Sequence, residues 1–403
     1  MEIYVKKHSD ALLFQKLIYA FMVILLYVMG RTIPLYGVDV SKLRAESYGA
    51  EQFLLHSIGG DKMQYSLFAL GISPYITSSM AVTLVNACRS PESRAKTSQK
   101  KLQRIILIGT VIVVVVMSFF RVIQLPFIYS GSSLLLARFL AFIQLFTGGI
   151  LIVRMISRNQ KYGIGGQSLI IFINVIEQMV ISFIKTSWRD VPIFVGVCFL
   201  VILVMVLLEN IEIRCPIQRI SIHNVHADKN YLAIKLNPVG VMPIMFASAV
   251  YSVPRLIISF LSAMNPANQY YTWILEETTL SRPIGIATYV VIIYLLTLGY
   301  GFITISPDNI SEQLLKGGDS LEDIRAGKNT RRYLGRKLLI AGLTGATIMS
   351  LFIIAPMMFG NIDSGYQTSL ATIPTTMIIT GLWCNIYREI QAVNAYDSYT
   401  ELM

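Results

Sequence analysis

The sequence predicts an all-α integral membrane protein of ten transmembrane helices, and three observations predict it. Hydrophobic residues make up 54% of the 403 residues and charged residues only 14%, where a soluble globular chain carries about 25% charge. Apolar runs close to 20 residues long recur along the chain, the length a helix needs to cross a hydrocarbon core of about 30 Å. Lysine and arginine fall between these runs, mostly on one side of the membrane.

The ten spans read as residues 16–34, 71–85, 105–123, 134–156, 168–184, 192–208, 240–262, 284–305, 338–359 and 367–387. The first lacks a small-residue cleavage site, so it reads as a retained span rather than a cleaved leader. The second is short and follows Gly59-Gly60-Asp61, which predicts a broken segment. Its residues Gly71-Ile72-Ser73-Pro74-Tyr75-Ile76-Thr77-Ser78-Ser79 set small hydroxyls beside Ile72 and Ile76, which share a face four residues apart. Such a helix suits close packing by small residues or the lining of a pore. The seventh opens on Asn237-Pro238-Val239-Gly240 with Pro243 soon after, a composition that prevents a uniform helix start. Asn237 is a polar group at the membrane edge that needs a partner.

Orientation follows from the loops. With the N-terminus in the cytosol, more than two thirds of the 34 basic residues fall on the cytosolic side, which predicts both termini inside. Two cytosolic loops, 209–236 and 306–337, are longer and more polar than a bare bundle requires, and loops of that kind meet partners. The net charge of +11 lies between apolar runs, so it reads as membrane topology rather than nucleic-acid binding.

Catalytic chemistry finds no place. The cysteines are Cys88, Cys198, Cys215 and Cys384, without CxxC or metal spacing. His223 and His226 form a pair without a third ligand, and His8 and His56 stand apart. There is no HExxH, GxSxG or P-loop. We therefore expect no enzyme activity, metal or cofactor. Glu177 is the one acid well inside a span and, with the broken spans, carries the case for an ion-coupled transporter.

Five stretches, in order, resemble the SecY family of protein-translocation channels. They are residues 27–39 (YVMGRTIPLYGVD), 71–79 (GISPYITSS), 162–168 (YGIGGQS), 236–248 (LNPVGVMPIMFAS) and 306–334, which includes Ile324-Arg325-Ala326-Gly327. The departures, among them Arg31, Gly166-Gln167 and Ala326 after Arg325, resemble the accessory members of Gram-positive bacteria. General-secretion SecY is the alternative.

The resemblance implies two pseudo-symmetric five-helix halves, 1–190 and 191–403, with a plug near 51–62. It implies an apolar pore ring of Ile72, Ile76, Ile171 and Met245, joined by Gln167 and Thr372, which are polar where isoleucine is usual. A lateral gate would carry Thr83 and Asn237 in hydrogen-bonding positions, and Arg325, Arg331 and Arg332 would engage a motor. The implied partners are a SecA-type ATPase, a SecE-type subunit or small accessory Sec proteins, membrane lipid and the unfolded secretory polypeptide. The implied cargo is serine-rich glycosylated adhesin, and the implied site is the cytoplasmic membrane.

Overall fold

A computed structural model describes residues 2–39, 65–87, 89, 97–185, 191–218, 231–264, 269–279, 282–359 and 364–399. The expected plug near 51–62, Cys88, His56, His223 and His226 lie outside the described residues.

Every predicted span falls on a helix. α1 (Glu2–Thr32), α2 (Ser73–Ala87), α3 (Gln99–Gln124), α4 (Ser132–Tyr162), α5 (Gly166–Lys185) and α6 (Val191–Asn210) precede a small sheet. After it come α7 (Met242–Met264), α8 (Gln269–Glu277), α9 (Pro283–Ile305), α10 (Pro307–Gly317), α11 (Lys328–Phe359) and α12 (Ser364–Tyr399). Among the described residues, five helical stretches are long and apolar enough to cross a membrane: Leu13–Thr32, Lys100–Gln124, Ser133–Tyr162, Pro283–Gly317 and Lys328–Ile354. α2 is not one of them. Its 15 residues reach about 22 Å at 1.5 Å per residue, and the partial helix expected ahead of it, near Gly59-Gly60-Asp61, lies outside the described residues.

Local chemistry sets the boundaries. α1 stops at Thr32, just before Ile33-Pro34, because the residue before a proline is driven out of the helical region. The chain beyond it is tied to the approach to α2: Leu35 N donates to Tyr65 O at 2.7 Å and Leu67 N to Ile33 O at 2.9 Å. The turn between α4 and α5 is built by Gly165 and Gly166, at φ +76° and +46°, values that only glycine adopts without strain. Asn159 braces it, donating from Nδ2 to the carbonyls of Ile164 and Gly166 at 3.0 and 2.9 Å.

The hydroxyls of α2 turn mostly onto their own helix. Thr77 Oγ1 donates to Ser73 O, Ser79 Oγ to Ile76 O and Thr83 Oγ1 to Ser79 O. Ser78 instead donates to Ile106 O of α3 at 2.8 Å. A Cβ on Gly109 would lie 2.6 Å from Ser78 Oγ, so a glycine there lets α3 come close, as small residues do in membrane packing.

The sheet was not anticipated. β1 (Glu212–Gln218) pairs antiparallel with β2 (Tyr231–Lys235), setting Cys215 opposite Leu232, and with the short β3 (Ser320–Leu321) in the order β2-β1-β3. Cys215, Ile234, Leu321, Leu334 and Leu338 form its buried core against α11. The larger core joins α2, α4, α5, α6, α7, α9, α11 and α12. α2 packs on α3 and α7, and α12 on α1, α5, α6 and α11.

Candidate functional site

Four of the expected ring residues come together. Ile72 and Ile76 on the α2 side, Ile171 on α5 and Met245 on α7 are fully buried members of one apolar cluster. The spacing of α2 presents both isoleucines to it. The first turn of α7 presents Met245, because the chain bends into the helix at Gly240 and Val241. Gln167 is half-buried at the first turn of α5. Thr372 is on α12, but its side chain lies outside the described residues, whereas its neighbour Ile373 is buried in the cluster. If water replaced these neighbours, each of the four buried chains would cost about 1.5–3 kcal/mol, so burial stabilises the packed cluster.

α2 and α7 pack against each other, as a gate seam requires, but the expected Thr83–Asn237 hydrogen bond is absent. Thr83 donates to its own helix at Ser79 O, 2.7 Å away, the nearby acceptor that a helical threonine uses readily. The Asn237 Oδ1 lies 3.5 Å from where a Cβ on Gly345 of α11 would sit. Asn237 is buried, and neither of its amide atoms has a hydrogen-bond partner among the described residues. At the other end of the seam, α3 meets α7 directly, with Gln124 Nε2 donating to Ser259 Oγ at 3.0 Å.

Glu177 proves to be paired. Arg31 Nη1 of α1 lies 2.5 Å from Glu177 Oε2 of α5, with the side chains 7% and 36% exposed. One turn deeper, Tyr27 donates its hydroxyl to Asn174 Oδ1 at 3.0 Å, and the Arg31 guanidinium lies 5.6 Å from the Tyr27 ring centre. Positions 27 and 31 match 174 and 177 because both spacings keep to one helix face. A second charge network joins α12 to the C-terminal end of α6. Arg388 donates to the Glu209 carboxylate at 2.9 Å and to the Glu209 carbonyl at 2.7 Å, with Glu209 2% exposed. The next residue, Glu389, accepts from Gly165 N at 2.9 Å and so holds the α4–α5 turn.

The loop at 306–337 presents its arginines differently. Arg325 is exposed on a turn fixed from within: Thr330 Oγ1 donates to the Arg325 carbonyl at 3.0 Å and Ser311 Oγ to Gly327 O at 2.8 Å. Arg331 pairs with Asp308. With Arg332 and Lys328 it lines a cavity of about 570 Å³ between α9, α10 and α11. Burial pushes the Cys215 thiol above its ordinary pKa, against a smaller opposing pull from the Lys337 ammonium and a hydrogen bond with Tyr333. Among the described residues, no three His, Cys, Asp or Glu side chains gather in a group that could hold a metal.

Known proteins are similar to this chain along nearly its whole length. The accessory Sec system protein translocase subunit SecY2 of Leuconostoc gelidum subsp. gasicomitatum is 26% identical, over 97% of each chain. The protein of the same name from Streptococcus sanguinis is 28% identical, over 99% of this chain and 100% of its own. A solved structure described as that of a protein conducting channel superposes with a TM-score of 0.69 at 18% identity, over 96% of this chain and 93% of its own. The family model described as SecY matches residues 66–385: the chain belongs to the SecY family.

Proposed function

We propose that this chain is the pore subunit of a protein-conducting channel that exports polypeptides across the cytoplasmic membrane. We assign it to the accessory Sec kind, serving serine-rich glycosylated surface adhesins. The observation that carries the reading is the gathering of Ile72, Ile76, Ile171 and Met245 from three separate elements into one buried apolar cluster, in a chain that aligns nearly end to end with accessory translocase subunits.

In this reading the chain crosses the membrane ten times with both termini in the cytosol. Residues 1–190 and 191–403 form two halves that close on the ring. An extended polypeptide parts the ring, and the apolar collar re-forms around it, so that water and ions follow poorly. Gln167 and Thr372 make the collar wetter than an all-isoleucine ring, which suits a hydroxyl-rich or sugar-bearing cargo. A plug near 51–62 closes the outer funnel. The seam of α2 and α3 against α7 opens sideways to an apolar signal helix, with Thr83 and Asn237 near its cytosolic end. Arg325, with Arg331 and Arg332 behind it, meets a SecA-type motor that supplies the energy, and a SecE-type or small accessory subunit clamps the halves.

The ion-coupled transporter reading rests on Glu177 and the broken spans, and the Glu177 carboxylate is engaged by Arg31. The test is the export profile of a deletion strain. Loss of one large glycosylated surface protein with general secretion spared is the expected result. A global secretion defect would favour the general-secretion alternative, and an unchanged surface proteome would overturn the reading.

A further inference from the structure

Between α7 and α9 the chain builds a helix where a plain loop would serve. α8 has nine residues and none is buried, yet its two faces differ. Tyr271, Ile274 and Leu275 are half-buried and share the inward side by their spacing. Gln269, Tyr270, Thr272, Trp273 and Glu276 are exposed. Tyr270 and Trp273, 63% and 55% exposed, stack with ring centres 6.2 Å apart and form an outward aromatic plate. The far end of the helix is fixed: the Thr278 carbonyl accepts the Tyr251 hydroxyl of α7, and the Thr279 carbonyl lies so close to Gly285 of α9 that a Cβ there would collide with it. A stretch able to span the membrane begins at Pro283, so α8 sits at a membrane boundary. Ile257 and Leu261 of α7 and Ile284 of α9 are likewise exposed apolar residues.

We propose that α8 is a lipid-interface anchor for α7. Tyr270 and Trp273 lie among the headgroups and upper acyl carbons of that leaflet, where amphipathic rings are favoured. The Tyr251–Thr278 bond passes this seating to α7. The ligand is phospholipid, engaged by ring insertion rather than charge, because the helix carries Glu276 and Glu277 and no cation. The placement rests on the chain spanning a membrane, whatever it transports.

The test uses the full chain as a W188F/W383F variant, which leaves Trp273 as its one tryptophan, in vesicles of brominated phosphatidylcholine. Bromine near the headgroup end of the acyl chain should quench roughly half of the Trp273 emission and bromine near the terminal methyl much less, in line with insertion of about 5–10 Å, unchanged by added salt. Quenching by aqueous iodide alone would overturn the anchor, and so would shielding from both quenchers, which would place a protein segment over α8. Release of the chain from the vesicles by alkaline carbonate would instead overturn the spanning reading itself. The Y251F variant keeps the ring and removes the bond. It should leave the quenching intact and broaden the α7–α8 distance distribution in pulsed spin-label measurements, whereas an unchanged distribution overturns the link to α7.

Discussion

Neutralising Glu177 should weaken the fold without stopping transport. The structure sets the magnitude. Removing one partner of a fully buried ion pair costs about 3–5 kcal/mol, mostly because the other charge is left stranded. Arg31 is only 7% exposed, but Glu177 is 36% exposed, so water screens part of the interaction and the figure must be reduced. We expect Glu177→Gln to cost about 2 kcal/mol, since it removes the carboxylate that faces a buried guanidinium. Arg31→Met should cost about 1 kcal/mol, because the carboxylate it leaves behind can reach water. The double replacement R31M/E177M should recover most of the loss, giving a coupling of about 1–2 kcal/mol in the double-mutant cycle. Thermal unfolding in one detergent, followed by intrinsic fluorescence, measures all four corners. Motor-driven export by the Glu177→Gln channel should persist at a temperature where it stays folded. Additivity within about 0.3 kcal/mol would refute the pairing, and loss of transport in a folded E177Q channel would return the carboxylate to the mechanism.

Three further outcomes follow from the ring, the loop and the sheet. Gln167→Ile with Thr372→Ile should dry the collar and lower the ion conductance of purified channels while impairing glycoprotein export; no change in either would remove the polar collar from the account. Arg325→Lys keeps the charge and loses the planar fork that a guanidinium offers to carboxylates and carbonyls, so export should fail while membrane insertion stays normal, whereas normal export would make the residue a topological anchor. Burial favours the protonated Cys215 thiol in the folded state, so its stabilising contribution is complete below the unfolded thiol pKa of about 8.5 and declines as pH rises through the folded value. Alkylation of Cys215 at pH 8 should therefore be slow until the sheet is unfolded, and rapid labelling of native protein would contradict its place in the β1–α11 core.

The long helices were legible because each is a near-continuous apolar run, and among the described residues five of them are long and apolar enough to cross a membrane. The motif isoleucines of α2 were legible as a pair on one face, since a spacing of four fixes their relative direction. What the sequence hid was set by contacts distant in the chain. Arg31 and Glu177 are 146 residues apart, and nothing local marks them as partners, although the charge of one and the isolation of the other were each visible. The β1–β2 hairpin had a readable signal in alternating Ile213, Cys215 and Ile217; the surrounding charges and Pro216 made it read as loop. α8 and α10 escaped because short mixed-composition helices between spans lack an apolar run. The Thr83–Asn237 bond was expected from residue type alone. The turn through Pro238 and Gly240 decides where Asn237 points, and it leads to α11.

The central claim is that a threading polypeptide parts the buried cluster of Ile72, Ile76, Ile171 and Met245. Photo-crosslinkers placed singly at Ile76 and Met245, in vesicles charged with motor, ATP and a precursor stalled in transit, address it directly. Adducts to the stalled precursor at both positions, lost when the precursor is chased through, are the expected result. Adducts to lipid alone, with or without a stalled precursor, would contradict it.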